Sequence, residues 1–205
     1  MAVKMGDMHL FNGLLTHMID RVTELWPHTG AVLAGGDSTR MGVAKEDLLL
    51  SDGSTMIGRV IQTLEQVCMR VVTVGGEQQG QPHVPDIRRG AGPLGGIEAL
   101  LASGLDEEYL VCPSDIPLAT QKLFRRLTAP SEAVATLFEV QGDPVHSLPL
   151  RISIAALDTV TAALDAGKNA IHTVLAGIET ERISVTEDEA AQLRNVNTPD
   201  DYNSI

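Results

Sequence analysis

Aromatic side chains make up only 3% of the 205 residues, so any core has to be built from aliphatic side chains. Cysteine is almost missing. Cys68 and Cys112 lie far apart and form no CxxC pair, which argues against a disulfide framework and fits a reducing compartment. Positive charge is scarce as well, with 15 Lys+Arg against 27 Asp+Glu, a net charge of −12 and a pI near 4.8. A chain this acidic offers no dominant basic surface, and general nucleic-acid binding is excluded as its main role. The six histidines make no HExxH or other close metal spacing, which disfavours zinc. No apolar run approaches the roughly 20 residues of a membrane span. The first residues, MAVKMGDMHLFNGLL, carry no long apolar stretch of the secretory kind. The expectation is a cytoplasmic protein with no membrane partner.

What is present is ordinary for a folded domain: 43% hydrophobic and 20% charged residues. The length predicts one domain, taken as residues 29–205 behind an N-terminal extension, 1–28. Within that extension Leu10, Leu14, Leu15, Met18, Val22 and Leu25 recur at helical spacing, which predicts a helix over 9–25, and Pro27 and Gly30 break the pattern. Short apolar runs follow at Ala31–Leu33, Leu48–Leu50, Val71–Val74, Tyr109–Cys112 and Val134–Phe138. Helical stretches lie between or after them at Met56–Val67, Leu94–Ala102, Gln121–Leu127 and Ile154–Ala166. Strands alternating with helices predict βαβ units and a mostly parallel sheet covered on both faces, an α/β fold of three layers. In such folds ligands bind beyond the carboxyl ends of the strands, so the residues after each strand carry the functional information.

Three segments stand out on that criterion. After the first run comes Leu33-Ala34-Gly35-Gly36-Asp37-Ser38-Thr39-Arg40-Met41-Gly42-Val43-Ala44-Lys45. Paired glycines let backbone N–H groups turn toward a ligand, Arg40 can grip phosphate with two donors, and Lys45 adds a compact charge. It is not a Walker A loop, because no Gly-Lys-Ser/Thr occurs. After Tyr109–Cys112 comes Pro113-Ser114-Asp115-Ile116-Pro117, where the carboxylate fits either an Mg²⁺ ligand or the N-cap of the next helix. Between them lies Pro85-Asp86-Ile87-Arg88-Arg89-Gly90-Ala91-Gly92-Pro93-Leu94-Gly95-Gly96. Its GxGxxG spacing suggests a dinucleotide fingerprint. That reading is set aside because residues 85–89 form no apolar strand and Pro93 sits within the turn. His146 falls in a polar loop, Gly142–Pro149, and the acidic stretch Glu179–Glu189 reads as a solvated surface segment.

LAGGDSTRMGVAK resembles the signature loop of the molybdenum cofactor guanylyltransferases, a family of MobA-like nucleotidyltransferases. PDIRRGAGPLGG resembles that family's glycine-rich helix entry, YLVCPSDIP its strand and metal loop, and Asn195-Val196-Asn197-Thr198-Pro199-Asp200 its C-terminal asparagine motif. The four motifs occur in order between residues 30 and 202. The resemblance implies a Rossmann-like nucleotidyltransferase fold and transfer of GMP from GTP to molybdopterin. It implies GTP bound by Leu33, Ala34, Gly35, Gly36, Lys45, Asp86 and Asp115, with Arg40, Lys45 and Asp115 catalytic. Asp115 would hold Mg²⁺, and Asn195 and Asn197 would lie on the molybdopterin side. Molybdoenzymes or their chaperones would be partners. The chain departs from the family pattern at Ala44, where an Asp is usual, and at Val74-Gly75-Gly76-Glu77, where an Asn is usual. Two other readings suit the same loops: a related transferase for another NTP or phosphorylated acceptor, and a nucleotide-binding relative with weak turnover.

Overall fold

In the computed structural model, residues 25–35, 49–78, 80–143 and 146–203 are described. The helix expected over 9–25 and the loop residues Gly36, Arg40 and Lys45 lie outside them, apart from Leu25. The first strand, β1 (Trp26–Ala34), is longer than its apolar run and starts inside the expected extension. Pro27, expected as a breaker, sits where the β1 register is irregular, so its missing N–H costs no ladder bond.

Helix α1 (Met56–Glu65) is capped by Thr55, whose side chain accepts from the N–H of Gly58 at 3.1 Å. Its buried residues Met56, Ile57, Val60, Ile61 and Leu64 form the stripe that the sequence period predicts. Strands β2 (Cys68–Gly75) and β3 (His83–Val84) follow, then helix α2 (Gly92–Ala102). Strand β4 (Glu108–Pro113) leads to α3 (Gln121–Leu127) and β5 (Ala135–Glu139). Strand β6 (Leu150–Ser153) passes through a 3-10 turn, Ile154–Ala156, into α4 (Leu157–Asp165). The described chain ends with α5 (Ile171–Leu175), β7 (Thr180–Ser184), α6 (Glu187–Gln192) and α7 (Pro199–Asn203). The strand expected at Leu48–Leu50 is reduced to one antiparallel bridge, Leu49 to Thr55, with Leu48 outside the described residues.

The seven strands form one sheet in the order β3-β2-β1-β4-β6-β5-β7. All pairings are parallel except those of β6, which runs antiparallel to both β4 and β5. Side-chain alternation sends Ala31, Leu33, Tyr109 and Val111 to one face, against α2 and α4. Val32, Ala34, Leu110 and Cys112 go to the other, against α1 and α3. The expected three layers are therefore present. Each inner strand is apolar on both faces, which is why the runs read as continuous rather than alternating.

From β1 the chain steps outward to β2 and β3, and α2 then carries it back to β4 on the other side of β1. The order reverses between β1 and β4, and the loops at their carboxyl ends part to leave a crevice.

Candidate functional site

The crevice between β1 and β4 is a cleft of about 740 Å³. Leu33, Ala34 and Gly35 enter it from the end of β1, and Pro113, Ser114 and Asp115 from the end of β4. Val74 and Gly75 close it on the β2 side, Asp86 stands at an exposed rim, and Gly92, Pro93 and Gly96 bring in the first turns of α2. Five residues singled out from the sequence thus meet here: Leu33, Ala34, Gly35, Asp86 and Asp115.

Close backbone approach shapes the floor. Gly75 has φ +85°, and a Cβ there would stand 2.6 Å from the Ala34 carbonyl oxygen and 3.3 Å from an Asp86 carboxylate oxygen. Gly96 lets α2 lie on the sheet, since a Cβ would meet Leu33 Cδ2 at 3.1 Å and Val74 at 3.4 Å. The N-cap of α2, Ala91, has no side-chain oxygen to satisfy the helix's opening N–H groups. Those donors border the cleft, an arrangement that favours an anionic or acceptor-rich ligand.

Asp115 is half-buried in the loop beyond β4, and the cap of α3 is Thr120, whose oxygen accepts from the Leu123 N–H at 3.4 Å. The alternative reading of Asp115 as that helix's N-cap is therefore not what the structure shows. The Asp115 carbonyl instead accepts from the Val196 N–H at 2.8 Å. With Val196 buried, this bond draws the segment Asn195-Val196-Asn197 alongside the Asp115 loop. The turn after it is self-capped. The Asp201 carboxylate accepts from the N–H groups of Asn197 and Thr198 and from the Thr198 hydroxyl, while Thr198 accepts from the Asp201 N–H. These bonds, led by the Thr198 hydroxyl, hold the Asp201 carboxyl below its usual range. Asn195 lines a second, smaller cavity beside the cleft, and Asn197 stays exposed.

Arg88 secures the segment that carries Asp86. Its guanidinium donates to both oxygens of Glu98 in α2, at 2.7 and 2.9 Å, and reaches Asp165 of α4 at 2.7 Å. Those carboxylates hold its charge on more firmly than usual. Glu98 is 4% exposed, the one acid on an otherwise apolar helix.

The described wall of the cleft presents two carboxylates, Asp86 and Asp115, and among the described residues no lysine or arginine. The cations inferred from sequence, Arg40 and Lys45, belong to the loop outside the described residues. Leu148, Gly75 and Gly96 also line the cleft and were not singled out as site residues. For Gly75 a signal existed, since Gly75-Gly76 directly follows an apolar run. Leu148 offers none, because only the fold brings its loop over β4. His83 and Val84 do form a strand upstream of GAGPLG, but residues 85–89 separate it from the glycines, so the strand-glycine-helix junction of a dinucleotide fingerprint is absent.

Residues 30–183 match the family model described as the MobA-like NTP transferase domain. A molybdenum cofactor guanylyltransferase of Xanthomonas euvesicatoria pv. vesicatoria is 33% identical over 180 residues, covering 87% of this chain and 94% of that protein. A probable molybdenum cofactor guanylyltransferase of Flavobacterium johnsoniae is 28% identical over 183 residues, covering 86% and 95%. Among solved structures, molybdopterin-guanine dinucleotide biosynthesis protein A from Archaeoglobus fulgidus matches with a TM-score of 0.72 at 22% identity, over 86% of this chain and 96% of that one. That likeness is one of fold.

Proposed function

The chain belongs to the MobA-like NTP transferase family, and from that premise we propose that it transfers GMP from GTP to molybdopterin, giving molybdopterin guanine dinucleotide and pyrophosphate. The observation that carries the reading is the cleft at the β1/β4 switch point. It gathers the glycine loop, Asp86, the opening of α2 and Asp115 at one place. The names of the relatives supply the substrates.

In the reaction a terminal phosphate oxygen of molybdopterin attacks the α-phosphorus of GTP in line. The bond from that phosphorus to the β-phosphate oxygen breaks, and the electron pair leaves with pyrophosphate. No covalent enzyme intermediate is needed, so the protein's work is to align the reactants and offset charge. Gly35 and the opening turn of α2 offer N–H donors to the nucleotide, and Asp86 at the rim accepts from its donors. Arg40 and Lys45, in the loop that continues β1, neutralise phosphate charge. The global charge of −12 does not oppose this strongly. Charges farther away than the Debye length of ~8 Å are screened, and the local cations decide the field.

The donor set suits Mg²⁺. Asp115 supplies a hard carboxylate oxygen inside the cleft, and among the described residues no group of three His, Cys, Asp or Glu side chains could cage a metal. Mg²⁺ takes one or two carboxylates and fills its shell from phosphate and water, so one acid in a phosphate cleft is the expected pattern. Asp115 would hold the ion, which when bound supplies charge neutralisation on the phosphates. On this reading the enzyme works in the cytoplasm and hands its product to molybdoenzymes or their chaperones.

The test is pyrophosphate release with GTP, Mg²⁺ and molybdopterin, beside ATP, CTP and UTP. The expected result is GTP-selective release that falls about 100-fold or more in Asp115→Ala. Release with another nucleotide would move the assignment to a different transferase. GTP binding without release would leave a nucleotide-binding protein.

A further inference from the structure

Strand β1 begins at Trp26, so residues 1–24 enter the fold at the amino end of the sheet, opposite the nucleotide cleft. They lie outside the described residues and ahead of the matched family domain, which begins at residue 30. Nothing in the proposed reaction uses them. Their sequence is patterned all the same, with Leu10, Leu14, Met18 and Val22 at every fourth residue, the spacing of one helix face. An apolar stripe of this kind is stable in water only when something covers it.

The surface where this segment joins has apolar side chains of its own. Four strands lie side by side there in the order β2-β1-β4-β6. Met69 is at the start of β2, Leu105 precedes β4, and Ile154 directly follows β6, which is antiparallel and so finishes where β4 begins. Hydrogen bonds tie these positions together. The Trp26 N–H donates to the Val67 carbonyl at 2.7 Å, just ahead of Met69, and Arg70 donates to the Leu105 carbonyl at 3.2 Å. The Ile154 N–H donates to the Glu107 carbonyl at 2.8 Å. Met69, Leu105 and Ile154 are all exposed. Any one of them alone would call for no explanation, but here they share the end of the sheet from which an apolar stripe departs.

The dimensions agree. Neighbouring strands are ~4.8 Å apart, so β2 to β6 spans about 14 Å. A helix over residues 9–24 is about 24 Å long and reaches across all four strand ends. The junction is anchored, because Leu25 and Trp26 are half-buried and Trp26 packs on the α1/α3 core. The chain bends at Leu25, so the segment leaves the line of β1 at once. With almost no linker, the tether holds it near this surface at an effective concentration of about millimolar, which favours the same chain over a second copy.

We propose that residues 9–24 form an amphipathic helix that docks on the amino end of its own sheet, its apolar stripe covering Met69, Leu105 and Ile154. The occupant of this surface is a segment of the same chain. The proposal stands apart from the guanylyltransferase reading, since the surface and the nucleotide cleft lie at opposite ends of the sheet.

The experiment is a double-mutant cycle in the full chain, read by melting temperature. One arm combines Met69→Gln, Leu105→Gln and Ile154→Gln. The other combines Leu14→Gln and Met18→Gln, which keep helix propensity and remove only the apolar stripe. Each arm is expected to lower the melting temperature by about 4 °C or more, and the two together no further than the larger single drop, because both break the same contact. Additive drops, or no drop in either arm, overturn the proposal. Leu118→Gln, at an exposed position beyond Asp115 at the other end of the sheet, is the control. Its effect is expected to add in full to that of the Leu14 and Met18 arm, and a failure to add overturns the assignment of the surface. Mass by light scattering is expected to be the same in every variant. A fall from dimer to monomer in either arm places the stripe of a second copy on this surface and overturns docking within one chain. Should the triple variant fail to fold, Leu105→Gln alone takes its place in the cycle, with the same outcomes.

Discussion

Gly75 shows how single residues set this site. At φ +85°, with the Ala34 carbonyl 2.6 Å from where a Cβ would be, any side chain would push the β1 and β2 loops apart. Gly75→Ala is expected to destabilise the fold by about 1–3 kcal/mol and to weaken GTP binding, checked by urea unfolding and nucleotide titration. The two cysteines illustrate the opposite case, residues whose chemistry is silenced. Burial, aided by the nearby Asp106 carboxylate, pushes the Cys68 thiol up to about 12, and burial raises Cys112 as well. Thiolates are the reactive form, so a colorimetric disulfide reagent at pH 8 should find no reactive thiol in native protein and two after denaturation. Fast labelling of the folded protein would contradict the packing described for that face. The spacing of the two in the sequence argued against a disulfide framework, but only the sheet shows that they share one core.

Elements were legible where their residues face inward. The apolar period of α1 and the runs of β1, β2, β4 and β5 come from burial, which acts on every residue of those segments. Strand β7 was read as part of a solvated acidic stretch. It is solvent-facing, but it is ordered as an edge strand paired to β5, with charges that keep further strands from adding. Four-residue β6 carries Arg151, 3% exposed and bonded to the Ser131 and Ala133 carbonyls, and a buried arginine reads as surface in any one-dimensional pattern. Helix α2 depends on a charge pair at its buried middle. Breaking a buried pair costs about 3–5 kcal/mol, and because Arg88 is 33% exposed, about 2 kcal/mol is expected for Glu98→Gln. Since Arg88 ties the Asp86 segment to α2, the same variant should raise the KM for GTP more than it lowers kcat. Steady-state kinetics beside urea unfolding separates the two effects.

Across the whole molecule the two ends of the sheet do different work. The carboxyl end holds the clefts, and the opposite end is clipped shut. There Asp106 accepts from Thr29 at 3.0 Å and lies 2.6 Å from His28 Nδ1, tying the start of β1 to the turn before β4. Burial works against the ionised form of Asp106, but the hydrogen bonds from His28, the Glu107 N–H and Thr29 outweigh it and lower its pKa below 3.8. A carboxyl depressed in the folded state stabilises above its unfolded pKa, and that stabilisation is lost as pH falls through the folded value. The gap in urea midpoint between wild type and Asp106→Asn should therefore stay open above pH ~5 and close as pH falls below 3.8. A gap that widened on acidification would show that Asp106 is not held in its charged form.

The sequence by itself determined the layered α/β class, the apolar strands and the identity of the loops at their ends, because burial and backbone geometry act locally and leave a mark at every position. It also singled out Leu33, Ala34, Gly35, Asp86 and Asp115, which line one cleft, through the loops that follow the strands and their resemblance to a family pattern. The tertiary structure alone decided the order of the strands, the reversal between β1 and β4, and the antiparallel turn of β6 that carries Leu148 and His146 to the same end. Those depend on contacts between residues far apart in the chain, where loop closure and sheet pairing set the energy. No window of neighbouring residues holds that information.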